Sequence, residues 1–256
     1  MKTFVSDGVE LAYIDEAASS DSGNRGAILL IHGFASSVDM NWIGPGWVDL
    51  LTREGFRVIA FDNRGHGESQ KLYELGDYGA PLMAEDARRL LDHLGLARAD
   101  VMGYSMGARI AAFLAIRHPD HVRSVIFGGL GGNMIRPMAG SDMIARALEA
   151  DSINDVSDPV GQTFRRFAEQ TASDLKALAI CMRSAREPIS QEMIGALRCP
   201  ALVAVGSKDE IAGSAGELAA ILPQGKALDI TGRDHMRAVG DPIYKKGVLE
   251  FLNERP

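Results

Sequence analysis

The chain has 256 residues, 46% hydrophobic and 24% charged, a balance ordinary for a soluble folded protein that buries a sizeable core. Its 27 Lys and Arg against 34 Asp and Glu leave a net charge of −7, and no polybasic run is available to neutralise phosphates, which sets nucleic acid aside as a partner. No apolar run approaches the roughly 20 residues that a membrane span needs, and the first residues lack the charged start and apolar stretch of a secretory signal, so a cytoplasmic protein is the expectation.

Residues 3–6 (TFVS) and 9–14 (VELAYI) flank Asp7-Gly8, a turn pair favoured in tight hairpins, and predict two antiparallel strands. Aliphatic or β-branched runs then recur at 26–31, 57–62, 99–104, 123–128, 201–206 and 226–231. Helical patterns fall at 46–54, 80–94, 106–117, 213–222 and 242–254. Strand runs without polar alternation, separated by helix-length segments, predict an α/β fold with a mostly parallel, doubly wound sheet of about eight strands.

The rhythm breaks between 129 and 198, where no convincing strand occurs and residues 142–150, 160–185 and 190–198 read as helices. An excursion of about 70 residues is too long for a simple loop. The chain therefore reads as a core of 1–128 and 199–256 carrying a helical cap, 129–198, over the sheet's C-terminal edge; the alternative is ordinary crossover helices with a surface extension. Met134, Met138, Met143, Met182 and Met193 fall in or near this segment, and methionines serve either as core filler or as an adaptable apolar wall. Arg136, Arg165 and Arg166 could bind a carboxylate, but a solvated face is the simpler reading. The stretch 18–24 (ASSDSGN) reads as a flexible polar loop. Cys181 and Cys199 make no disulfide framework, and with no CxxC or HExxH spacing neither a metal nor a cofactor is expected; both cysteines read as buried thiols.

Ser105 stands where the strand ADVMGY gives way to the helix MGARIAAFLAIR, with Gly103 two residues before it and Gly107 two after. A turn that sharp strains the backbone at the serine and crowds its neighbours, so glycine removes the side chains that would clash. The first N–H groups of the following helix lack intrahelical partners and face the serine, a setting that suits a nucleophile. Small residues along that helix, Ala108, Ala111, Ala112 and Ala115, let it pack close to the sheet.

A serine hydroxyl needs a base. His118 and His121 lie roughly 20 Å along the same helix, at about 1.5 Å of rise per residue, and cannot reach. His93 ends an amphipathic helix and reads as a dipole partner there. His235 follows the last strand and leaves the sheet at the edge where the serine turn opens, which makes it the candidate base. Its tautomer must be held by a carboxylate, and Asp209, just past the preceding strand, is better placed than Asp229, Asp234 or Glu210. The run ILLIHGF leads from a buried strand into His32-Gly33-Phe34, so an oxyanion hole is assigned to the backbone N–H groups of Phe34 and Met106. His32 then braces the loop.

With these motifs in order, HGF, DNRGHGES (62–69), GYSMG, GSKDE and GRDHM, the chain resembles the α/β-hydrolase superfamily over its whole length. That resemblance implies the α/β-hydrolase fold and a serine hydrolase acting on a small-molecule carboxylic ester, with Arg64, His66 and Ser69 in a structural loop beside the site. Ala108 departs from relatives that often have a glycine there, a change of packing only. Dehalogenases and epoxide hydrolases of this fold use an aspartate where this chain has Ser105. Cofactor-free perhydrolases and carbon-carbon bond hydrolases look similar and remain alternatives, as does a ligand sensor that keeps the fold without turnover.

Overall fold

The strands, in chain order, are β1 (Lys2–Ser6), β2 (Val9–Glu16), β3 (Ala27–Ile31), β4 (Arg57–Phe61), β5 (Ala99–Tyr104), β6 (Val122–Gly128), β7 (Ala201–Gly206) and β8 (Gly225–Ile230). They form one sheet in the order β1-β2-β4-β3-β5-β6-β7-β8. The hairpin β1-β2 and the pair β2-β4 are antiparallel and every other pairing is parallel. The computed structural model describes residues 1–19, 23–136, 140–184 and 187–255. Met138 and residues 20–22 of the polar stretch lie outside the described residues.

The hairpin turn follows from its two residues. Asp7 and Gly8 both take positive φ, 51° and 82°, the twist that lets right-handed strands pair across two residues. In the inner parallel strands β3 to β7, side chains alternate between two buried layers. Odd-numbered residues such as Leu29, Ile31, Val101, Phe127 and Val203 join one hydrophobic cluster, while even-numbered Ile28, Leu30, Met102, Ile126 and Leu202 join the other. Burial on both faces explains why these strands lack polar alternation.

Helices α1 (Trp47–Arg53), α2 (Ala80–His93) and α3 (Met106–Arg117) follow strands β3, β4 and β5 in the chain. Between β6 and β7 come α4 (Ser141–Glu149), α5 (Pro159–Gln170), α6 (Leu175–Arg183) and α7 (Gln191–Gly195), and α8 (Ala215–Ala219) and α9 (Pro242–Glu254) complete the set. The cluster formed by α2, α3 and α8 covers one face, and α1 and α9 cover the other. Helices α4, α5 and α6 hold a third cluster of their own, built on Ile144, Leu148, Ala168 and Leu178 and reaching Ala35 of the loop after β3.

Three expectations from sequence need correction. The helical pattern over 160–185 is two helices, because Ala172 turns to φ 49° and Asp174 caps α6 by accepting the Ala177 N–H. His118 and His121 are not in α3, which ends at Arg117; His118 precedes and His121 ends a short helical turn at Pro119–His121. Arg165 is buried rather than solvated, donating to the carbonyls of Ala147, Leu148 and Ala150 at 2.9, 3.2 and 2.7 Å. It thereby satisfies the orphan acceptors at the C-terminus of α4.

Candidate active site

Ser105 sits at φ 54°, ψ −112°, a strained conformation for a residue with a side chain, and its N–H donates to the Gly128 carbonyl at 2.8 Å. The flanking glycines are required by space. A Cβ on Gly103 would lie 2.1 Å from the Gly107 carbonyl oxygen, and one on Gly107 would lie 2.0 Å from the Ile31 carbonyl oxygen. The turn is thus wedged against both its own helix and β3.

His235, in the loop after β8, brings its Nε2 to 3.0 Å from Ser105 Oγ. Its Nδ1 is 2.7 Å from Asp209 Oδ2, and the Asp209 carboxylate is fully buried while the imidazole remains 13% exposed. The other carboxylate oxygen of Asp209 accepts the N–H groups of Ile211 and Ala212 at 2.9 and 3.0 Å, which fixes its plane. With a carboxylate on Nδ1, that nitrogen carries the proton and Nε2 offers a lone pair to the serine hydroxyl. Asp234 faces elsewhere, accepting the Met236 and Arg237 N–H groups.

The turn after β3 approaches from the opposite side. A Cβ on Gly33 would lie 3.5 Å from the Ser105 Cβ, and the Gly33 N–H donates to Asn41 Oδ1 at 3.1 Å. Neither the Phe34 nor the Met106 backbone N–H has an acceptor among the described residues. Two unpaired donors beside a serine hydroxyl can receive an oxyanion.

Below them His32 is fully buried, its Nδ1 bonded to the Gly33 carbonyl at 2.7 Å and its Nε2 accepting the Asn63 N–H at 2.9 Å. Its ring lies 5.3 Å from that of His66. Burial lowers His32 to about 4, and burial followed by the neighbouring His32 lowers His66 to about 3, from ordinary values of 6.5. Both are neutral braces at neutral pH. Arg64 forms a bidentate pair with buried Asp86, at 2.7 and 2.8 Å, and Ser69 bonds the Asp62 carbonyl, so neither side chain is directed at Ser105.

His118 and His121 pair with Glu85 and Asp92 on the surface, and His93 packs on Phe4 and Tyr13. Cys181 and Cys199 are buried, and burial pushes the Cys199 thiol up to about 11. No group of His, Cys, Asp and Glu suited to a metal ion occurs among the described residues.

Two cavities meet at Ser105. One, of about 400 Å³, is lined by Met83, Met106, Leu130, Ile144, Met182 and others; the second, of about 210 Å³, is lined by Asn41, Tyr104, Thr163, His235, Val239 and others. Of the methionines singled out in the sequence that fall among the described residues, Met182 alone lines either cavity, whereas Met134 is in the core. The sequence reading passed over Tyr104 and Asn41. Tyr104 Oη donates to the His235 carbonyl at 2.6 Å, and its place beside the serine in GYSMG was the only available signal. Asn41 carried none.

Comparison with known proteins finds a match to the family model described as alpha/beta hydrolase fold over residues 26–188. Bifunctional epoxide hydrolase 2 of Sus scrofa is 31% identical over 46% of this chain, and the chain spans about a fifth of that relative, 20% of its length. The enol-lactonase from Burkholderia xenovorans LB400 superposes with TM-score 0.79 at 22% identity, covering 99% of this chain and 100% of its own. A thermophilic esterase from Thermogutta terrifontis superposes with TM-score 0.74 at 25% identity, covering 98% and 96%.

Proposed function

The chain belongs to the α/β-hydrolase fold family of enzymes, and from that premise we propose that it is a carboxylic ester hydrolase working through an acyl-enzyme. The observation that carries the reading is the relay Ser105 Oγ, His235 Nε2 at 3.0 Å, and His235 Nδ1, Asp209 Oδ2 at 2.7 Å. In the proposed reaction Ser105 Oγ attacks the ester carbonyl carbon while His235 Nε2 takes its proton. The Phe34 and Met106 N–H groups hold the oxyanion, and Asp209 stabilises the imidazolium. The imidazolium then protonates the departing alcohol oxygen, the carbon-oxygen bond breaks, and water repeats the sequence to release the acid. A serine, rather than an aspartate, at position 105 supports acyl transfer over opening of an epoxide.

Helices α4 to α6 carry their own apolar cluster and supply Ile144, Phe164 and Met182 to the cavity walls. We take residues 129–198 as a cap over the core of 1–128 and 199–256. The predominantly apolar walls favour small to medium acyl esters. No helix among the described residues is long and apolar enough to cross a membrane.

The test is hydrolysis of p-nitrophenyl butyrate by the native chain and by Ser105→Ala, together with labelling by a fluorophosphonate. The substitution should cost on the order of 10⁶ in turnover and abolish labelling. Survival of most of the activity defeats the assignment, and labelling of the native chain without ester turnover favours a sensor.

A further inference from the structure

We infer that the larger cavity receives the acyl chain and the smaller one the leaving alcohol, so that the chain takes esters of a medium-length apolar acid with a short alcohol. The inference rests on the ester-hydrolase reading and assigns its substrate class. It follows from where the four substituents of a tetrahedral intermediate must go.

One substituent is Ser105 Oγ itself. The oxyanion lies between the Phe34 and Met106 N–H groups. The leaving oxygen must come within hydrogen-bond reach of His235 Nε2, because that nitrogen delivers its proton. His235 lines the 210 Å³ cavity and is absent from the walls of the 400 Å³ one. The alcohol portion therefore extends into the smaller space, past Tyr104 and toward Asn41 and Val239. The remaining substituent, the acyl carbon chain, is left with the larger space, beside Met106 and toward Leu130, Met83 and Met182.

The balance of atoms supports the same division in the second half-reaction. The bond from carbon to Ser105 Oγ forms as the bond to the alcohol oxygen breaks, and the serine proton leaves on the alcohol. Water then takes the place that the alcohol vacated, next to the same Nε2, and gives its proton to Oγ through the ring. The smaller cavity must empty and refill with water while the larger one still holds the acyl group. Phe34, Ser105, Phe164 and Ile211 line both cavities and form the waist between them. Phe34 and Phe164 narrow it, with ring centroids 6.0 Å apart.

The size difference makes this testable with isomers of one formula. Ethyl octanoate places eight carbons on the acyl side and two on the alcohol side, and octyl acetate reverses them. Ethyl octanoate should have the higher kcat/KM by about 10-fold or more, the scale on which misfit hydrocarbon is discriminated in apolar pockets. Val160 and Met40 are both exposed, one at the wall of each cavity. Val160→Trp should shorten the preferred acyl chain in a series of ethyl esters, and Met40→Trp should shorten the preferred alcohol in a series of octanoates. Equal rates on the two isomers, or a preference for octyl acetate, overturns the inference while leaving ester hydrolysis standing. If neither isomer nor p-nitrophenyl butyrate is hydrolysed, the ester-hydrolase reading itself falls and takes this inference with it.

Discussion

The phenol of Tyr104 donates to the backbone carbonyl of His235 at 2.6 Å, tying the residue before Ser105 to the loop that carries the imidazole. The two rings also lie 5.6 Å apart. Burial, followed by neighbouring Tyr244, raises the phenol well above its ordinary value of 10, so it remains a donor. Tyr104→Phe keeps the ring and removes only this bond. A neutral hydrogen bond contributes about 1 kcal/mol net, so kcat should fall about 5-fold with KM little changed. A loss confined to KM would show that Tyr104 acts on substrate and not on the histidine loop.

Asp209→Asn should be far more damaging. The backbone N–H groups of Ile211 and Ala212 fix one oxygen of residue 209, so the asparagine amide nitrogen would take the position facing His235 Nδ1. A donor there favours the wrong imidazole tautomer, and turnover should drop by about 10³–10⁴ without loss of fold. Circular dichroism beside steady-state kinetics checks both halves; near-native turnover would move the acid elsewhere.

Gly107→Ala tests the close approach of α3 to β3. Its Cβ would stand 2.0 Å from the Ile31 carbonyl oxygen, a backbone atom that cannot swing aside. We expect a loss of about 3 kcal/mol or more, seen as a fall in Tm of roughly 6 °C or greater. A variant melting with the native chain would mean that α3 does not press on the strand.

His32 and His66 predict acid sensitivity. Their folded values, about 4 and about 3, lie below the ordinary 6.5, so the unfolded chain binds more protons in between and stability must rise with pH there. The contribution is complete above pH 6.5 and is lost as pH falls toward 4 and then 3. At pH 5 each imidazole should cost on the order of 2 kcal/mol relative to pH 7. Urea titrations at the two pH values measure this, and His66→Gln should flatten the slope.

Much of this architecture was legible because the chemistry of the strands is unambiguous. Ala201–Gly206 is an uninterrupted apolar run and Ala99–Tyr104 is broken only by Asp100, and the observed limits of both coincide with the sequence reading. Residues 105, 209 and 235 could be grouped in advance because each follows the end of a parallel strand, and such ends share one edge. The cap segment was harder to read. Its break at 171–174 depends on a left-handed alanine, which no pattern announces, and the short helical turn at Asp39–Ile43 went unpredicted. Arg165 resembled any surface arginine until the carbonyls of α4 gathered around it. Tyr104 was hidden for a similar reason, since its partner is a backbone oxygen 131 positions away, and side chains that serve distant main-chain atoms leave no periodicity.

Phe34 divides its labour between atoms. Its amide nitrogen belongs to the proposed charge-stabilising pair, while its ring walls both cavities. Any amino acid other than proline would supply the same N–H, so drift at this position can redraw substrate preference and leave the reaction's electrostatics in place. Selectivity and chemistry are therefore separately heritable within a single codon.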